Sequence, residues 1–283
     1  MSLHGRWLPA LLGLGAASIA GCYTPTVART QSYHPSDADL SVTRIVHGSA
    51  VIEFPETRLL LDPWYSPTPP LGPAEAIGLS LENLPPMRGL LITHKHDDHF
   101  DAETLREFPN KSLRVVVPRG LGAELARMGY SDVVEIEDWE TAQIGSVVVT
   151  AVPARHRVAE NGYVLQGNSL TVYVAGDTSF DADLFHSILG RFPQLDAALL
   201  PIGGIRILSR RLDMTPEEAA DAFAILKPGH VIPYHYGLTG PMPFVTAAAN
   251  PVKRLYEAMG KTDKGSQNAI VALDPGESWH HYR

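Results

Sequence analysis

The stretch Gly89-Leu90-Leu91-Ile92-Thr93-His94-Lys95-His96-Asp97-Asp98-His99 decides how the rest of this 283-residue chain is read. A short apolar, β-prone run ends in the pattern H-x-H-x-D-H, with histidines at 94, 96 and 99 and an aspartate at 98. With twelve histidines available, chance yields this arrangement in roughly one such chain in a thousand, which makes it a usable motif. Neutral imidazoles and carboxylates suit borderline divalent metals. Residues two apart in an extended segment point to the same side, so His94 and His96 can converge on one ion. Asp98 and His99 can serve a second as the chain turns towards the next helix. Two ions need more ligands than four residues supply, and His156, Asp177 and His235 each follow a later strand-like run. A site at one rim of a sheet draws its ligands from such places.

Working outward, strand-like runs cover 42–46, 51–54, 58–61, 90–93, 114–117, 133–136, 144–152, 170–175, 197–201 and 231–234. Helices fit 101–108, with Asp101 as N-cap, and 121–128, 182–189 and 251–259. Thr215-Pro216-Glu217-Glu218 is a full start signal with an N-cap, a first-position proline and a capping-box glutamate, and Pro228-Gly229 ends that helix. The pattern predicts one α/β domain with strands in two sets. The proline-rich stretch 63–86 reads either as a lid or binding loop or as a packed excursion.

H-x-H-x-D-H, a lone histidine after a strand, Ala175-Gly176-Asp177-Thr178 and Pro233-Tyr234-His235 together resemble the metallo-β-lactamase superfamily. The resemblance implies an αβ/βα sandwich of two mixed sheets flanked by helices over residues 41–283. It also implies two divalent ions, zinc by the nitrogen-rich ligands with manganese or iron as alternatives. Carried over residue by residue, His94, His96 and His156 correspond to first-site ligands, Asp98, His99 and His235 to second-site ligands, and Asp177 to the bridging carboxylate. Asp98 would also orient or deprotonate the attacking water. Many true β-lactamases use a cysteine ligand and generally lack this aspartate, so antibiotic hydrolysis is disfavoured. Arg44 to Ala50, Leu61-Asp62-Pro63, Leu200 to Gly204 and Met214 to Ala219 look most like the branch of L-ascorbate-6-phosphate lactonase-like and N-acylphosphatidylethanolamine phospholipase D-like enzymes. The implied activity is hydrolysis of an ester, lactone or phosphodiester by a metal-bridging hydroxide, on a small anionic or lipid-derived molecule. A non-catalytic, metal-dependent envelope binding protein is the alternative class. His47 lines the pocket or merely opens a turn; Arg206 and Arg210 grip an anionic group or are solvated surface residues; Asp62 backs a ligand histidine or starts a turn.

Composition sets the outer limits. A net charge of -8 leaves no broad basic footprint for nucleic acid. The single cysteine excludes an internal disulfide framework or a thiolate zinc site. That cysteine ends Ile19-Ala20-Gly21-Cys22, after the apolar run from Trp7 and the basic Arg6, and resembles the lipobox of a bacterial lipoprotein signal peptide. The organisation expected is a signal peptide over 1–21, a flexible tether over 22–40 and the hydrolase domain over 41–283. Lipid on Cys22 would anchor the protein to a membrane of the bacterial cell envelope; the alternative is a plain cleaved signal with an incidental cysteine.

Overall fold

Runs such as Leu59-Leu60-Leu61 and Val115-Val116-Val117 lack polar alternation, as expected of strands covered on both faces, and all six residues are buried. The structure, a computed structural model describing residues 33, 36–263 and 265–283, supplies both covers. One seven-stranded sheet has the order Ser278–His281, Leu40–Val46, Ser49–Phe54, Thr57–Leu61, Gly89–Leu91, Arg114–Pro118, Asp132–Ile136. Its first four strands are antiparallel, and from Thr57–Leu61 onward the neighbours run parallel. A six-stranded sheet repeats the plan. Thr141–Ile144, Val147–Pro153, Asn161–Gly167 and Leu170–Val174 pair antiparallel, then Leu170–Val174, Ala197–Pro201 and His230–Tyr234 run parallel.

The inner faces meet in a core containing Phe54, Leu61, Val149, Tyr163 and Leu199. Helices Ala102–Glu107 and Gly122–Arg127 cover the first sheet, burying Leu105 and Leu125 in the cluster of Leu60, Leu90 and Val115. Helices Ala182–Arg191, Pro216–Leu226 and Pro251–Thr262 cover the second, with Phe185, Ala219 and Leu255 in the cluster of Tyr173, Ala198 and Val231. This is the αβ/βα sandwich of two mixed sheets. Asp101 caps its helix by accepting from the Glu103 and Thr104 amides, and the capping box of Thr215 and Glu218 is complete.

Several boundaries differ from the sequence reading. The run 144–152 is two strands, because Gly145 adopts φ +57° and turns the chain. Asn161–Gly167 opens with a dipeptide typical of turns and was not anticipated as a strand. A Cβ on Gly162 would lie 3.1 Å from the Val174 carbonyl oxygen, so close packing here requires glycine. The folded unit begins before residue 41: Leu40 opens the first strand, Ala38 is buried, and the Tyr33 hydroxyl bonds the Glu53 carboxylate. Cys22 and residues 1–21 lie outside the described residues. The 63–86 stretch is packed, with Trp64, Ile77 and Leu79 buried and Gly72–Pro73 paired to Leu238–Thr239. Among the described residues, no helix is long and apolar enough to cross a membrane.

Candidate metal centre

The first sheet's parallel strands end at the same rim as those of the second, and the chain segments leaving them converge there. Pairing of Gly89–Leu91 stops just before Thr93-His94, and the amide of Asn161 donates to the Thr93 carbonyl at 3.0 Å, pinning the two sheets together. Beyond it the His99 and Phe100 amides both donate to the His96 carbonyl, a tight turn that aims His94, His96 and His99 inward. The second sheet delivers His156 after Val147–Pro153, Asp177 after Leu170–Val174 and His235 after His230–Tyr234. Non-glycine residues in the left-handed region cluster here: His47 at φ 50°, Asp62 at 40° and His235 at 51°. Such backbone persists only where the surroundings hold it.

All seven ligands expected from the sequence meet, in two groups. His94, His96, His156 and Asp177 form one; Asp98, His99 and His235 form the other together with His47, with the ligand atoms of each group within 4.8 Å of one another. Asp177 faces both, its Oδ2 3.6 Å from His94 Nε2 and its Oδ1 3.2 Å from His99 Nε2 and 3.0 Å from His235 Nε2. His47, left open as a turn or pocket residue, places Nε2 3.2 Å from Asp98 Oδ2.

Three observations test whether divalent ions fit. First, ring nitrogens outside the site are occupied. His47 Nδ1 meets the Tyr236 carbonyl (3.2 Å), His156 Nδ1 the Leu212 carbonyl (3.1 Å), His99 Nδ1 the Asp62 carboxylate (2.7 Å) and His235 Nδ1 the Asp213 carboxylate (2.9 Å). Oxygen acceptors require Nδ1–H in each, which leaves Nε2 as the inward ligand atom. Second, His99 Nε2, His235 Nε2 and Asp177 Oδ1 are buried without an aligned hydrogen bond although they stand side by side. Third, the ion pairs of Asp62, Asp98, Glu160, Asp177 and Asp213 among the described residues all go to imidazoles and none to Lys or Arg. Buried carboxylates in that number call for cations. The residues fit the metals.

Electrostatics divides the groups. Burial lowers the pKa of His94, His96 and His156, keeping their imidazoles neutral. Burial and the neighbouring His235 push His47 down to about 4. Burial also opposes charge on His99 and His235, but Asp177 and the further carboxylates beside each ring hold both pKa values well above the ordinary range. Burial of Asp177 and partial burial of Asp98 would raise them, yet the surrounding histidines hold both well below the usual carboxylate range. Burial and the Asp177 charge raise Glu160 well above the ordinary carboxylate range, and burial lifts Asp213 to about 6.

A cavity of about 670 Å³ opens above the ligands, walled by Trp64, Leu71, Ile205, Ile207, Leu212 and Leu238, with Lys95, Arg157 and Arg210 as its cations. Arg206 does not reach it. In the small sheet Arg206 pairs with Arg211, while Ile207 pairs with Arg210 and Val245. Opposed residues share a face and successive ones alternate, so Ile207 and Arg210 turn to the cavity and Arg206 turns away, exposed, donating to the Ser209 carbonyl. Sequence reasoning missed Glu160, Asp213 and Arg157. None stands in a motif; only the spatial demand for backing carboxylates points to the first two.

Residues 57–236 match the family described as the beta-lactamase superfamily domain. A UPF0173 metal-dependent hydrolase of Pyrobaculum calidifontis is 33% identical over 238 residues, covering 82% of this chain and 95% of that protein. Another from Pyrococcus furiosus is 31% identical over 251 residues, covering 84% and 98%. Among solved structures, CmlA, a diiron β-hydroxylase from Streptomyces venezuelae, is similar at a TM-score of 0.69 with 24% identity over 87% of this chain. The match spans only 55% of that protein. Igni18, a metallo hydrolase from the archaeon Ignicoccus hospitalis, is similar at 0.66 with 22% identity, covering 85% and 97%. The two structural likenesses are of fold. The chain belongs to the beta-lactamase superfamily and is an enzyme of its metal-dependent hydrolase kind.

Proposed function

We propose that this superfamily member is a binuclear hydrolase whose substrate carries an ester, lactone or phosphodiester bond on an apolar, lipid-like body. The observation that carries the reading is the pair of four-residue ligand groups facing one shared carboxylate, Asp177. His94, His96, His156 and Asp177 would hold one ion, and Asp98, His99 and His235, with His47 beside them, the other. The donor set favours zinc, with iron or manganese as alternatives given its oxygen ligands. Two bound ions would lower the pKa of a water towards neutrality and polarise the bond to be cleaved.

The protein's own groups do the rest. Asp98 is ionised at neutral pH and lines the cavity, so its carboxylate can orient a water and accept its proton at Oδ2. Asp62 and Asp213 fix the rings of His99 and His235 through Nδ1–H. The apolar walls exclude water around the reacting bond and match a hydrocarbon body. Arg157 and Arg210 make no ion pair with a carboxylate among the described residues and suit an anionic group near the mouth. A lipid-derived substrate accords with the proposed anchor at Cys22 in the bacterial envelope; incorporation of labelled palmitate into wild type but not Cys22→Ala tests that part.

The deciding experiment is metal analysis of the full chain purified without added ions, joined to turnover of bis-p-nitrophenyl phosphate, lactones and phospholipids. Two ions per chain and hydrolysis lost on chelation are expected. Undiminished turnover by a metal-free His96→Ala variant overturns the mechanism, and two ions with no turnover across the panel favours a binding protein.

A further inference from the structure

Four large apolar side chains are more than half exposed among the described residues, and three of them belong to one small unit at the cavity mouth. Leu208, 66% exposed, tips the hairpin of Arg206–Ile207 and Arg210–Arg211; Met242 (73%) and Phe244 (56%) lie on the loop that closes against it. The Leu208 amide donates to the Phe244 carbonyl at 2.8 Å, and Val245 pairs with Ile207, so the three side chains ride on one structure. Residues 204–212 and 238–248 contain three arginines and no Asp or Glu, in a chain whose net charge is -8. Arg211 is paired with Glu218 at 2.8 Å, while Arg206 and Arg210 are exposed and have no carboxylate partner among the described residues.

We propose that this rim docks on an anionic lipid surface, with Leu208, Met242 and Phe244 entering the headgroup boundary and Arg206 and Arg210 meeting the phosphates. Charge complementarity selects the partner. Apolar tips interleaved with guanidiniums, free of acids, match an interface where hydrocarbon lies just beneath negative charge. Docking would also serve the cavity: Leu208 and Arg210 line its mouth, so a bilayer held there faces the apolar walls directly and an amphiphile can pass without crossing water. The docking itself depends on no metal chemistry, and its test reads no turnover.

Contact is best read at the rim, because the apolar N-terminal run could itself bring the chain to a vesicle. The full chain with Cys22→Ser has no other thiol, so Met242→Cys can carry an environment-sensitive fluorophore. Vesicles with roughly one third phosphatidylglycerol in phosphatidylcholine are expected to shift its emission to the blue and raise it at least about twofold. Pure phosphatidylcholine should do far less, and glycerol phosphate nothing. Adding Arg206→Glu with Arg210→Glu should weaken the response at least about tenfold, and Leu208→Ser with Phe244→Ser should abolish the blue shift. The control label is Glu56→Cys, exposed in the turn joining Ser49–Phe54 to Thr57–Leu61, at the strand ends opposite Asp62. A silent label at 242, an equal response at 56, or an equal response to pure phosphatidylcholine each overturns the proposal. A response that grows with protein concentration in the absence of vesicles assigns the face to a second copy and overturns it as well.

Discussion

In the group of His94, His96, His156 and Asp177 every imidazole is held neutral by burial, whereas in the group of His47, Asp98, His99 and His235 two imidazoles are held protonated by carboxylates. The partners behind the rings differ in the same way. His156 leans on a backbone carbonyl, and His94 Nδ1 lies 3.0 Å from the Thr93 hydroxyl. His99 and His235 lean on Asp62 and Asp213. The first group therefore presents bare nitrogen lone pairs to an incoming cation, and the second must release protons to accept one. The same carboxylates that make the second group's rings good ligands once deprotonated make them hold their protons beforehand.

Asp177 belongs to the first group and also faces His99 and His235 of the second, so Asp177→Ala should do what no other substitution does: lower both occupancies. The expected result is loss of more than one bound ion per chain and a fall in kcat/KM of at least about 10³-fold, beyond the loss from one electrostatic stabiliser. His96→Ala and His235→Ala should each remove a single ion, from opposite groups. Metal analysis beside steady-state kinetics checks all three; equal stoichiometry in the Asp177 and His96 variants would break the division into groups.

Acidity should separate the groups next. His99 and His235 have pKa values raised well above the ordinary histidine value of about 6.5, so protons compete with the second ion through neutral pH and above. Raising the pH strips those protons, and second-ion affinity should climb until both raised values are passed. The first ion, meeting histidines whose pKa values are lowered, should show the weaker dependence over the same range. Titration calorimetry in buffers of different ionisation enthalpy would count the protons: none on the first ion and one to two on the second.

A smaller effect isolates the backing carboxylate. Asp213→Asn removes the charge that holds His235, which should cost about 10–100-fold in affinity for the second ion and leave the first unchanged. It should also lower the His235 pKa and flatten the pH dependence of second-ion binding. Competition with a chromophoric chelator measures both.

How much of this was readable beforehand follows from where each signal lies in the chain. H-x-H-x-D-H is local, and strand ends are marked by apolar runs that stop, so the candidates His94 through His235 and an α/β domain with strands in two sets were legible, while the sandwich itself came from the family resemblance. Asp213 and Glu160 reach the site only because the sheets bring distant segments together, and no spacing rule carries that. His47 stayed open between pocket and turn because it precedes Gly48; packing explains that glycine, whose Cβ would lie 3.2 Å from the His99 ring. Arg206 was a poor choice of cavity residue for a related reason. Its face depends on the pairing of a two-residue strand, and a one-residue slip would exchange it with Ile207.

The least effect should come from Glu160→Gln, and its smallness is informative. Glu160 sits behind the first group, accepting from the Asp177 amide and standing 3.5 Å from His94 Nδ1. Burial and the Asp177 charge raise its pKa well above the ordinary carboxylate range, which favours its neutral form, and a carboxamide of the same shape can still accept from the Asp177 amide. First-ion affinity should therefore change by about threefold or less, against the 10–100-fold expected behind the second group. If Glu160→Gln cost as much as Asp213→Asn, Glu160 would be ionised, the neutral character of the first group would be wrong, and the proton count for the first ion would rise from zero.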